Sequence, residues 1–249
     1  MTKPIAVERS GAVATIVLNR PDSRNALNEE LSDQLCEAVS QLDADPDVRA
    51  LVLTGAGRGF SSGMDLAEYT RNGVPASLIE FFQNGARMPL IAAIEGFAMA
   101  GGLELALRCD LIVAAQGSKL AFPESKVGLI AWYGASRVQR LISRQAAAEL
   151  LFTGDPMTAD RAYELGMITR LVDRGRARIV AEEMAAKIAG NAPLSVIGSK
   201  DLLDLTQGRT VEEYSRDMKV ITDPVYSSSD SREGACAFIE KREAVWRGA

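Results

Sequence analysis

Twice in the first half of this chain a strand-like apolar run breaks into a glycine-rich turn that opens a helix. No other feature constrains the fold as tightly. The turns are Ser62-Gly63-Met64-Asp65-Leu66 and Gly96-Phe97-Ala98-Met99-Ala100-Gly101-Gly102-Leu103-Glu104. Strands alternating with helices in this way imply an α/β layer structure with a largely parallel sheet. The first backbone N–H groups of a helix lack an intrahelical acceptor, and the helix dipole there favours negative charge. Brought together, the two turns would hold one oxyanion between the N–H groups of Met64 and Gly101. Either turn alone could be a plain strand–helix junction.

Two carboxylates follow. Glu104 stands three residues after Gly101, in the first turn of the same helix, a spacing that aims its side chain back at the oxyanion position. It could also be a routine helix-start stabiliser. Glu124 follows Phe122-Pro123, a setting less common for a merely solvated charge. If both face one pocket, repulsion and desolvation would push their pKa values apart, leaving one base and one acid. Asp65 reads as a helix cap, and Met64, Met88 and Met99 as packing or pocket lining. Trp132 and Tyr133 read either as core or as a wall of the pocket.

Strand patterns also occur at 12–18, 50–54, 90–94, 111–115 and 119–122, with a helix at 27–42 capped by Asn28. Beyond about residue 140 strands nearly vanish, apart from a brief candidate at 168–172. Helical periodicity runs through 145–152, 159–165, 177–189, 194–205, 211–221 and 232–246, and 226–230 reads as a loop. This division suggests a core over 1–190 and a helical region over 191–249 that buries apolar faces on its own core or on neighbouring subunits.

The chain has 249 residues and no histidine, which removes Ser-His-Asp, Cys-His and His-metal schemes. Its net charge of −5 and lack of a long basic run argue against a nucleic-acid partner. Cys36, Cys109 and Cys236 are odd in number and far apart, so they are expected to be free thiols. The N-terminus lacks the apolar core of a signal peptide and no run is long enough to span a membrane, which leads to an expectation of a cytoplasmic protein.

Several stretches together resemble the enoyl-CoA hydratase/isomerase (crotonase) superfamily. They are Arg24-Asn25-Ala26-Leu27-Asn28, Gly59 through Leu66, Ile94-Glu95-Gly96 through Cys109-Asp110, and Phe122-Pro123-Glu124. Leu151-Phe152-Thr153-Gly154, Ala162 through Ile168 and Arg232 through Arg242 fit as well. The resemblance implies a spiral of ββα units followed by a C-terminal helical trimerisation region, with homotrimers or dimers of trimers. It implies an acyl-CoA thioester as substrate, so that coenzyme A enters only as part of the substrate, with no metal or redox cofactor. By position, Met64 and Gly101 match the oxyanion donors. Glu104 matches the glutamate that helps activate water, and Glu124 the one that exchanges the α-proton. Arg24, Asn25 and Ala26, with the turn of Ser62, Gly63, Met64, Asp65 and Leu66, resemble CoA-contacting segments.

Two positions depart from that pattern. Ala100 replaces the first glycine of the usual triplet. Hydratases also carry a small Pro-Gly-Ala-Gly-Gly-like turn whose backbone helps position the water. Here it reads Ala131-Trp132-Tyr133-Gly134-Ala135, with Trp132 where a glycine is expected, so that a bulky side chain would restrict the acyl group or displace the water. The reading favoured is hydration of a 2,3-enoyl thioester. Double-bond isomerisation, thioester hydrolysis, decarboxylation and non-catalytic CoA binding are the alternatives, since a fold does not fix a reaction.

Overall fold

A computed structural model describes residues 3–249. Its main sheet has six strands: β1 (Ile5–Ser10), β2 (Val13–Leu18), β3 (Ala50–Gly55), β4 (Leu90–Ile94), β6 (Leu111–Ala115) and β9 (Arg170–Val172). They lie in that order, with β1 antiparallel to β2 and every later pair parallel. A second sheet of three strands joins β5 (Phe97–Met99), β7 (Lys119–Ala121) and β8 (Met157–Thr158), with β5 parallel and β8 antiparallel to β7. The chain therefore passes from β4 to β5 and then into helix α4 (Gly101–Arg108), a ββα step that ends at the second glycine turn.

Alternation along the strands feeds two cores, as a pleat with both faces buried requires. Leu51 and Leu53 face a large core shared with Leu31 and Leu35 of α1 (Glu29–Asp43) and with Leu78, Phe81 and Phe82 of α3 (Ala76–Asn84). Ala50 and Val52 point the other way, against α8 (Ala177–Ala189). That helix buries Ala177, Ala181, Ala185 and Ala189 at a spacing of four, and the small side chains let it lie close on the sheet. Its first amide is capped from a distance, by Glu95 Oε1 at 3.0 Å from Ala177 N.

The strands and helices expected from periodicity before residue 206 form with small shifts at their ends. The Asn28 side chain accepts from Leu31 N to cap α1. Asp65 does the same for α2 (Leu66–Asn72), accepting from Glu68 N. Strands β1, β5 and β8 and helix α3 lay outside the sequence reading. So did α5 (Trp132–Val138), which starts at residues read as a turn.

After α6 (Arg144–Thr153), α7 (Ala159–Glu164) and α8, the chain closes with α9 (Pro193–Thr206), α10 (Val211–Ser227) and α11 (Ser229–Glu240). Two expectations are corrected here. The loop read at 226–230 shrinks to Ser228, because α10 continues past Pro224 and the Ser228 hydroxyl caps α11 at once, accepting from Ser231 N. The helix read at 232–246 ends at Glu240, where Lys241 takes a left-handed conformation. The Arg242 guanidinium then pairs with both carboxylate oxygens of Glu233, and the chain folds back. Trp246 donates to Gly190 O at 2.8 Å and accepts from Arg49, which pins this tail to the body of the molecule.

Candidate active site

The first glycine turn is shaped by Asn25, which is fully buried in a left-handed conformation (φ 54°). Its side-chain amide donates to Ala56 O and Gly59 O, and its oxygen accepts from Arg20 N. The neighbouring backbone then runs beside the turn, with Ser62 N donating to Arg24 O, Leu27 N to Gly63 O and Asp65 N to Leu27 O. These bonds leave Met64 N on the opposite side, without an acceptor among the described residues.

The second turn is laid against the first. Met99 N donates to Ser61 O and Ala100 N to Ala121 O, and Gly101 N at the start of α4 has no acceptor among the described residues. Ala100 sits at φ 50°, ψ −130°, a region comfortable only for glycine, so this turn stores strain. The contact between turns is tight enough to forbid a side chain at Gly63. A Cβ there would lie 2.6 Å from Ala100 Cβ and 3.0 Å from Gly101 N. A Cβ on Gly101 would stand 3.6 Å from Met64 N and 3.8 Å from Glu104 Oε2. Two free N–H donors and one carboxylate thus border the same small space.

Glu104 is almost wholly buried, and its Oε1 accepts from Gly134 N at 2.7 Å. Burial raises its pKa, while the amides of Gly134 and Tyr133 pull it back down. Glu124, in a short 3-10 turn after Pro123, is nearly as buried, and its Oε2 has no hydrogen-bond partner among the described residues. Its pKa is pushed up to about 7, first by burial, against the lowering effect of its own backbone N–H, and to a lesser degree by the charge of Glu104. The two carboxyls therefore differ: one is held by the amides of another segment, and the other keeps one oxygen without a partner and is protonated more readily.

Both carboxyls line a cavity of about 500 Å³ together with Ser62, Met64, Leu66, Gly101 and Trp132. Gly63 and Asp65 act from behind it: Gly63 permits the close approach of the turns, and Asp65 caps α2 and meets Arg20 at 3.4 Å. Arg24, Asn25 and Ala26 do not border the cavity, and Asn25 is committed to holding the turn. The sequence reading missed the far wall, made by Tyr69 of α2 and by Val74, Leu78 and Phe82 at α3. The apolar spacing of Leu78, Phe81 and Phe82 was the available signal. It also missed the amide of Gly134, whose acceptor is thirty residues away in sequence. Trp132 stands at the lip with 43% of its surface exposed.

Two N–H donors can share a carbonyl oxygen as charge develops on it, and two unequal carboxyls can move protons to and from its neighbouring carbons. Among the described residues no group of His, Cys, Asp and Glu is arranged to hold a metal ion, and no helix is long and apolar enough to cross a membrane.

Residues 8–249 match the model of the enoyl-CoA hydratase/isomerase family. A putative enoyl-CoA hydratase of Thermus thermophilus is 37% identical over 96% of this chain and 98% of its own length. An (E)-benzylidenesuccinyl-CoA hydratase of Thauera aromatica is 34% identical, over 99% of this chain and 100% of its own length. The crystal structure of an enoyl-CoA hydratase from Mycobacterium marinum superposes over the whole of both chains, with TM-score 0.96 and 39% identity. With one family's model spanning nearly every residue and the fold matched end to end, this chain belongs to the enoyl-CoA hydratase/isomerase family.

Proposed function

We propose that the protein hydrates the 2,3-double bond of an enoyl-CoA thioester and catalyses the reverse dehydration. The observation that carries this reading is the pair of unequal carboxyls beside two unpaired N–H donors. In this reading the thioester oxygen accepts from Met64 N and Gly101 N, which draws electron density from C3. Glu104, ionised on its two amides, takes a proton from water as the oxygen bonds to C3. Glu124, protonated, gives its proton to C2. Afterwards Glu104 carries the proton and Glu124 the charge, and dehydration runs the same transfers backwards. Arg24, Asn25 and Ala26 act as scaffold for the CoA-facing turn, and coenzyme A enters only as part of the substrate.

The region 191–249 is proposed as the oligomerisation region, supported by its exposed apolar side chains, among them Leu203, Val220 and Phe238. The test of the reaction is loss of the conjugated-thioester absorbance of 2-enoyl-CoAs. Glu104→Gln and Glu124→Gln should each lose about 10²–10⁴ in kcat, the range for removal of a general acid or base.

A second reading follows from the Gly134 amide. It is spent on Glu104, so it is not free to help hold a water molecule. If water is poorly held, Glu124 alone would shuttle a proton between carbons and the protein would isomerise 3-enoyl-CoA. In that case Glu124→Gln would abolish turnover while Glu104→Gln would not.

A further inference from the structure

We propose that Trp132 sets the substrate class: the cavity takes acyl groups that end in an aromatic ring, seated against the indole. This deepens the enoyl-CoA reading and rests on it for the identity of the thioester.

Trp132 is held by two other rings. Its centroid is 6.3 Å from Phe82 and 6.0 Å from Tyr133, at interplanar angles of 75° and 78°. Tyr133 is in turn stacked on Phe82 at 5.0 Å and 11°, and its hydroxyl accepts from Arg137 Nε at 2.6 Å. The indole is therefore a braced wall. It lines the cavity yet keeps 43% of its surface exposed, so part of the ring remains free for a guest. Next to it, Ile130 is 74% and Val127 59% exposed, and both border the same cavity.

A crotonyl group carries a single methyl beyond its double bond, too little to cover the exposed surfaces of Val127, Ile130 and Trp132. A larger apolar end can, and binding energy from such remote contacts is available to assist the reacting carbons. Between a ring and a flexible tail the physics favours the ring. Aromatic pairs gain affinity beyond their buried area, and a rigid group loses fewer rotors on binding. Beyond Ser62 and the two carboxyls, polar lining comes only from Tyr69 and from Lys126, which is engaged with Asp155 at 2.6 Å; the remaining lining side chains are apolar.

The test uses saturated thioesters, which bind without reacting: 3-phenylpropanoyl-CoA, hexanoyl-CoA and butanoyl-CoA, titrated calorimetrically into wild type, Trp132→Phe and Trp132→Leu. In wild type the phenylpropanoyl thioester should bind about tenfold more tightly than butanoyl and roughly threefold more tightly than hexanoyl. Trp132→Phe should keep that order. Trp132→Leu should bring phenylpropanoyl and hexanoyl level, with butanoyl changed by less than about threefold. Equal or tighter binding of hexanoyl by wild type overturns the proposal, as does an unchanged phenyl preference in Trp132→Leu, or no binding of any of the three. Because no bond is made or broken, a failed hydration assay leaves this result standing, and failure of the ring preference leaves the hydration reading standing.

Discussion

Glu124 is the side chain whose environment says most about working pH. Burial with one unpartnered oxygen raises its pKa to about 7, well above the usual carboxylate range. Hydration needs this group protonated and Glu104 ionised, so kcat/KM should fall as pH rises above about 7. A profile flat from pH 6 to 9 would count against Glu124 as the proton donor. The same shift bears on stability. Between the unfolded pKa, about 4.3, and the folded value near 7, the folded chain holds a proton that the unfolded chain releases. This contribution is present in full below the lower value and is lost as pH rises through the upper one. Glu124→Gln should therefore melt at least about 2–4 °C above wild type at pH 8 and level with it near pH 4, below the unfolded pKa, by calorimetry. At this scale the sequence was readable wherever chemistry travels with spacing. Glu104 falls three residues after Gly101, and Asp65 and Asn28 precede their helices. It was opaque wherever the partner is remote, as with the Gly134 amide on Glu104 or the Asn25 side chain reaching Ala56 and Gly59.

The two turns work as elements because each is held by backbone bonds that leave one amide, Met64 N or Gly101 N, unpaired. Gly101 tests this directly. A methyl added there meets Leu27 Cδ1 at 3.3 Å, which a flexible side chain can relieve, and alanine suits the first position of a helix. The methyl would nonetheless sit between Met64 N and the Glu104 carboxylate. Gly101→Ala should therefore fold with a melting temperature close to wild type and lose about 10²–10³ in kcat, because the added methyl crowds the seat of the carbonyl oxygen as severely as loss of a donor would, although the N–H itself remains. Loss of fold instead of turnover would show that the glycine serves packing alone. Inner strands of the main sheet were legible because both of their faces are buried and they read as continuous apolar runs, whereas the mostly exposed edge strand β1 was not. Of the second sheet only β7 was read, since strands of two or three residues such as β5 and β8 carry too little periodicity. Helix α5 was hidden for another reason: its first residues are large aromatics that the matching motif fills with small ones, and their rings pack on α3.

At the largest scale, the helices after residue 190 expose several large apolar side chains. Leu203 of α9, Val220 of α10 and Phe238 and Ile239 of α11 are each at least 75% exposed, while the opposite end of the chain buries its leucines and valines in two cores. Apolar side chains gathered in one region call for a covering partner, and a second copy of the same chain is the simplest one. The helical character of this region was legible from its periodicity, but its course after Glu240 was not. The reversal there depends on Arg242 meeting Glu233 and on Trp246 reaching Gly190, contacts that have no local sequence signal. Light scattering on the eluting protein should give three or six times 26.7 kDa. Replacing Phe238 and Ile239 with glutamate should weaken assembly by at least about 100-fold, as loss of central interface anchors does. Arg49 and Trp246 hold the tail to the body within one subunit, so the variant should remain folded by circular dichroism while its mass falls to that of a single chain. A wild-type protein that stays monomeric at tens of micromolar would assign these side chains another role. It would also remove assembly as the reason for the helical region.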